Sequence, residues 1–147
     1  MELGPLRRGG RLIHTVKPTP AGYAAAAAAG ASMFFGVPTV WTRIGADPAA
    51  AQSLSYARLL VSGSAPLPVP VFDRIRELTG HEIVERYGMT ETMITVSTRF
   101  DGERRPGSVG VPLRGVETRL RSSEIDSGAT DLPHDGESVG DLHVRGP

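Results

Sequence analysis

The sequence predicts an α/β fold, parallel βαβ units followed by a mostly antiparallel β region. Three observations carry this. Two continuous apolar runs, Met33-Phe34-Phe35-Gly36-Val37 and Arg58-Leu59-Leu60-Val61-Ser62, and a β-branched run opening at Ile83-Val84 read as buried strands. Between them lie segments whose apolar residues recur at helical spacing. Past Thr92 the helical spacing gives way to short alternating runs broken by Gly and Pro.

Taken in order, Leu3 to Arg8 reads as the last turn of a helix stopped by Gly9-Gly10. Arg11 to Val16 alternates loosely and suggests a short strand. Thr19-Pro20 is a helix start, a hydroxyl N-cap followed by Pro at the first helical position. Ala21 to Ala29 continues that helix, with Ala the best helix former, and Gly30 ends it. The near-absence of large side chains there implies close packing against a sheet or helix. Met33–Val37 is expected to be a strand buried on both faces. Pro38 opens the next helix, where Val40, Trp41 and Ile44 share a face and Arg43 lies at its edge. Trp41 reads as core rather than as a substrate platform.

Asp47-Pro48 and the alanines after it form a connector with a helical turn, then Arg58–Ser62 makes the second strand and Gly63-Ser64-Ala65-Pro66 its turn. Val71, Phe72, Ile75 and Leu78 give a helix closed by Gly80. The third strand is Ile83-Val84-Glu85-Arg86-Tyr87, with Gly88 expected to turn the chain sharply. Met93 to Phe100 reads as an antiparallel strand and 101–107 as a charged, solvated loop. Ser108–Pro112 and Val116–Leu120 are short strands around a Gly115 turn. Ser122 to Glu137 is a polar loop expected to be mobile, and Gly140–Gly146 a last strand.

Composition narrows the function classes. The 147 residues are 39% apolar and 22% charged, ordinary for a globular domain. Sixteen basic residues balance sixteen acidic ones, so no bulk field points to nucleic acid or a membrane surface. The longest apolar tract is too short and too alanine-rich to span a bilayer. With no Cys, thiol chemistry is excluded and a cytoplasmic location is the expectation. His14, His81, His134 and His143 have no metal-site spacing.

Parallel neighbours put the carboxyl ends of their strands on one side, and open α/β sheets bind ligands there. The ends are Gly36-Val37-Pro38, Ser62 to Pro66 and Glu85 to Glu91, three turns expected to line one crevice. Tyr87 offers a flat face for a base, Thr90 a hydroxyl for phosphate, and Glu91 a hard oxygen suited to Mg²⁺. The competing reading is a strand ending in a polar surface turn. Ser64 has no flanking base and is not expected to act as a nucleophile.

Tyr87-Gly88-Met89-Thr90-Glu91-Thr92 resembles the Tyr-Gly-x-Thr-Glu motif of the adenylate-forming enzymes, the superfamily of acyl-CoA synthetases. Ser62-Gly63-Ser64-Ala65-Pro66 resembles that family's adenine-binding turn. Gly107-Ser108-Val109-Gly110-x-Pro112 and Gly140-Asp141-Leu142-x-Val144-x-Gly146 match further motifs in the same order. The resemblance covers essentially the whole chain. It implies one partial AMP-binding domain over 1–147, with a βαβ adenine- and acyl-binding part at 1–92 and a β-rich part at 93–147. It implies that Gly63, Ser64, Ala65 and Pro66, with Glu85, Tyr87, Gly88, Met89 and Thr90, form the ATP/AMP wall. Thr90 would bind the α-phosphate and Glu91 the Mg²⁺, and these two are the implied catalytic residues. Coenzyme A would be the acyl acceptor.

The wording around Phe35–Ile44 and Glu85–Met89 is most similar to malonyl-CoA synthetases, which implies that Arg43 and Arg86, with Met89, hold malonate or a related small carboxylic acid. A guanidinium suits that task, because it forms bidentate, charge-assisted bonds to carboxylate. Two alternatives stay open for the arginines: Arg86 pairs with Glu85 or another acid, and Arg43 snorkels from a helix edge. For the whole chain the alternatives are a medium- or long-chain fatty acyl-CoA synthetase and a non-catalytic nucleotide-binding module. The Gly/Ser/Thr-rich loop with Lys that cradles the triphosphate has no counterpart, and Lys17 is the only lysine. Both ends read as cut. The expectation is therefore an internal fragment, inactive by itself or nearly so, that needs a complementing chain or domain.

Overall fold

A computed structural model describes residues 7, 9–99, 101–122 and 130–146. Its first helix, α1 (Pro20–Ala28), is capped as the sequence predicts: Thr19 Oγ1 accepts the Gly22 N–H at 3.1 Å. Strand β1 (Met33–Gly36) leads into α2 (Pro38–Gly45) and the short α3 (Pro48–Gln52), which Asp47 caps by accepting the Ala50 N–H at 3.0 Å. Then come β2 (Leu59–Ser62), α4 (Val69–Thr79), β3 (Val84–Met89) and β4 (Met93–Ser97). Gly80 ends α4 in the left-handed conformation, φ 74°, the usual helix stop.

β1, β2 and β3 are parallel neighbours in that order, β4 pairs antiparallel with β3, and β5 (Val111–Pro112) extends the sheet beyond β4. A second, antiparallel sheet has β6 (Glu117–Arg121) in the middle, flanked by β7 (Asp131–Leu132) and β8 (Asp141–Arg145). The expected parallel-then-antiparallel order is what the chain adopts.

The core lies where α2 and α4 pack together beside the parallel strands. Trp41, Ile44, Leu54, Phe72 and Ile75 are fully enclosed there with Leu60 and Ile83. Each such side chain contributes about 1.5–3 kcal/mol by leaving water. Trp41 is core, as expected, and its Nε1 donates to the Val61 carbonyl at 3.2 Å, the partner a buried indole needs. That bond ties α2 to the carboxyl end of β2. Tyr23 does the same for α1 and β1, donating its hydroxyl to the Phe35 carbonyl at 2.6 Å.

Four expectations need correction. Arg11–Val16 is not a strand but an irregular segment, in which only Ile13 leans on the core; its alternation finds no neighbouring strand among the described residues. β1 is not buried on both faces: Phe34 is 5% exposed, whereas Met33 and Phe35 are 38% and 42% exposed. Gly88 is not the turn. It sits inside β3 at a β-bulge, and the reversal falls at Thr90–Thr92, where the Thr92 N–H donates to the Met89 carbonyl at 3.2 Å. Gly88 serves close approach instead, because a Cβ there would collide with the Met93 carbonyl and lie 2.8 Å from Ile94 Cα. Finally, the run at 108–112 is extended and paired only at Val111–Pro112. The predicted helix at Leu3–Arg8 falls almost wholly outside the described residues, as do Phe100 and 123–129 of the polar loop.

Candidate functional site

Register builds the site. Gly36 pairs with Ser62, and Ser62 with Glu85, so these three residues form one row across the parallel strands. One residue further along lie Val37, Gly63 and Arg86. A hollow of about 280 Å³ opens there. Pro18, Tyr23, Val37 and Val40 line one part of it, and Phe35, Gly36, Gly63, Ser64 and Arg86 the rest. The volume falls just below the usual range for ligand pockets, about 300–1,000 Å³, which suits a short molecule.

Among the described residues, Arg86 is the only charged side chain lining this hollow. Its guanidinium carbon stands 5.7 Å from the centre of the Phe35 ring, within reach of a cation–π attraction. Gly63 makes room for it: a Cβ on Gly63 would come 3.2 Å from Arg86 Cγ and 3.3 Å from Nε. Burial pushes the Arg86 pKa down from its usual value, though a guanidinium keeps its charge in any protein setting. Its Nε is buried with no hydrogen-bond partner. Such a donor beside a hollow calls for an acceptor, and an anionic oxygen is the strongest one available.

Ser64 follows Gly63 with φ 72°, a left-handed conformation uncommon for a residue with a side chain. That kink opens the turn carrying Ala65 and Pro66, both exposed. Glu85 anchors the turn from below. Its carboxylate, on a residue only 4% exposed, accepts the Leu67 N–H at 3.3 Å and also the Gly107 N–H. Burial is the larger influence and pushes the Glu85 pKa up, while the two N–H bonds pull it partway back. The Glu85 backbone is held as well, its N–H donating to Thr98 Oγ1 at 3.0 Å and its carbonyl accepting the Thr98 N–H at 3.0 Å. Ser62 Oγ and Glu85 Oε1 are buried without a hydrogen-bond partner.

The other residues singled out from sequence are placed differently. Tyr87 is half-buried, and its carbonyl faces Thr95 Oγ1 at 3.5 Å. Met89, Thr90 and Glu91 are exposed at the end of the β3–β4 hairpin. Arg43 is exposed on α2 and does not line the hollow. The structure thus brings Gly63, Ser64 and Arg86 to one hollow, sets Glu85 under it, and carries Tyr87–Glu91 onward along the hairpin. The pairing of Arg86 with Glu85 left open above does not form: the Glu85 carboxylate takes backbone amides instead.

Among the described residues, no group of three His, Cys, Asp or Glu could hold a metal by itself. The Glu91 carboxylate offers one hard oxygen in solvent, a donor set that fits Mg²⁺ only if phosphate and water supply the other ligands. Sequence reasoning did not single out Phe35, Tyr23 or Val40 as lining residues. For Phe35 the signal was the two-residue period of β1, hidden because residues on both faces are apolar.

Comparison with known proteins identifies the family of the chain. The family model described as AMP-binding enzyme matches residues 1–147. A probable CoA ligase of Humulus lupulus is 40% identical over 125 residues, covering 79% of this chain and 20% of that protein. The mitochondrial malonate–CoA ligase of Mus musculus is 38% identical over 141 residues, covering 79% of this chain and 24% of the relative. Among solved structures, a malonyl-CoA ligase in a ternary product complex with methylmalonyl-CoA and AMP superposes with a TM-score of 0.83. It is 51% identical, over 98% of this chain and 30% of that one. The chain spans about a fifth to a quarter of the length of these curated relatives. Among the described residues no helix is long and apolar enough to cross a membrane. With a family match from end to end, an α/β core of the expected order and relatives that are acid–CoA ligases, the chain belongs to the AMP-binding enzyme family.

Proposed function

We propose that this chain supplies the acyl- and adenylate-binding wall of an acid–CoA ligase that takes malonate or a close relative. The single observation carrying this reading is Arg86, a guanidinium with a buried, unpartnered Nε at the edge of a small hollow. A hollow of that size favours a short diacid over a long acyl chain, and one lining cation favours a second carboxylate at the far end of the substrate.

In the proposed reaction a carboxylate oxygen of the acid attacks the α-phosphorus of ATP, and pyrophosphate leaves. The thiol of coenzyme A then attacks the acyl carbon of the mixed anhydride, and AMP leaves. Arg86 holds the distal carboxylate, so that the reacting one is presented at the strand ends; Arg43 is the second candidate for that grip. Gly63–Pro66 and Tyr87 bound the adenine, Glu85, Gly88 and Met89 shape the wall, and Thr90 takes the α-phosphate. Bound Mg²⁺ would neutralise triphosphate charge, with Glu91 as its protein ligand. The remaining contribution of these residues is positioning and electrostatic stabilisation. We further propose that the 147 residues bind ligand without sustaining turnover and work with a complementing chain or domain.

Calorimetry on the purified chain tests this. Saturable binding of AMP and of malonate is expected, with malonate binding abolished in Arg86→Leu and AMP binding kept. Malonate affinity unchanged in Arg86→Leu overturns the substrate assignment. Pyrophosphate release at an ordinary rate from the chain alone overturns the division of labour.

A further inference from the structure

The Arg86 side chain is held in place by two features that lie outside its own strand. Gly63, at the end of β2, leaves a gap that the Arg86 stem fills. Phe35, the outward residue of β1, puts its ring 5.7 Å from the guanidinium carbon, and that ring is 42% exposed. No carboxylate among the described residues pairs with Arg86. A long, rotamer-rich side chain without an ion-pair partner would ordinarily sweep through many conformations, and ordering it on binding opposes affinity. An aromatic face beneath the cation reduces that freedom without neutralising the charge.

We propose that Phe35 is a positioning residue: its ring shelves the Arg86 guanidinium in the orientation that receives a second carboxylate, and so sets the preference for diacids over monoacids. The inference rests on the diacid reading of the hollow. A guanidinium that lies flat on a ring keeps its edge, with the N–H donors, free to form in-plane bonds. A hydrogen-bonding acid at position 35 would hold the arginine equally well but would occupy those same donors. An aromatic residue is therefore the side chain that orients this cation while keeping its hydrogen-bonding edge for ligand.

The test compares malonate with monomethyl malonate, nearly the same shape with one charge removed, by calorimetry on the full chain. The wild type is expected to prefer malonate. Phe35→Leu is expected to shrink that preference by about 2- to 5-fold, the worth of a partly exposed cation–π contact, with malonate affinity falling more than monomethyl malonate affinity. Phe35→Trp, which keeps a ring face, restores the preference. Thermal midpoints confirm that each variant is folded, and the Trp variant carries the test if the Leu variant is not. A preference that survives in Phe35→Leu, an equal loss for both ligands, or a Trp variant with no preference overturns the role of Phe35. A wild type with no preference overturns the diacid reading and this inference together, a distinct result from loss in the variants alone.

Discussion

Glu85 joins the fold to the site, and its replacement has consequences that can be worked out. Its carboxylate is buried and receives the Leu67 N–H, on a residue only 2% exposed, and the N–H of Gly107, which is exposed. Glu85→Ala orphans both amides. Water can reach Gly107 but not Leu67, so one full unsatisfied donor counts, about 1–3 kcal/mol of destabilisation. Glu85→Gln keeps an acceptor for one amide and removes the charge.

The pH dependence then has a definite sign. Burial raises the folded pKa of Glu85 above the unfolded value near 4.3. Protonation therefore favours the folded state, and this contribution is complete below the unfolded pKa. It is lost as pH rises through the raised folded pKa. Urea unfolding at a series of pH values is the assay. The stability of the wild type minus that of Glu85→Gln should fall as pH climbs from about 4 toward neutrality and then level off. A flat difference, or one that grows with pH, refutes the burial argument, and an Ala variant within about 0.5 kcal/mol of wild type refutes the role of the carboxylate as an amide acceptor.

Three further outcomes follow from backbone geometry. Gly88→Ala forces a Cβ into the Met93–Ile94 backbone, which cannot yield as a side chain would, so a loss of about 3 kcal/mol or more in urea unfolding is expected. Ser64→Gly relieves a left-handed residue at φ 72° and should raise stability by about 0.5–1 kcal/mol, visible as a higher thermal midpoint. Gly63→Ala meets the flexible Arg86 stem at 3.2 Å; stability should change by under about 1 kcal/mol while calorimetric malonate affinity falls at least about 3-fold, because the guanidinium is displaced from its shelf.

The order of elements and the identity of the family were legible in the sequence because they rest on local chemistry. Thr19 and Asp47 cap the helices that follow them, Gly80 stops α4, and Val40, Trp41 and Ile44 bury one face of α2, each through spacing of a few residues. The turn at Gly63–Pro66 and the run from Tyr87 to Glu91 stand out by residue type alone. What depended on tertiary structure was every relation between residues distant in sequence. Gly88 reads as a turn until the opposite strand shows a bulge. Glu85 reads as part of the nucleotide wall or as a partner for Arg86 until Leu67 and Gly107 present their amides to it. Arg43 and Arg86 look equivalent in sequence, yet α2 leaves the first in solvent while β3 turns the second into the hollow over Phe35. The reason is physical: caps and periodicity are set within a helical turn or a strand pair, whereas a side chain's solvation and partners are set by which surfaces the packing of separate elements brings together.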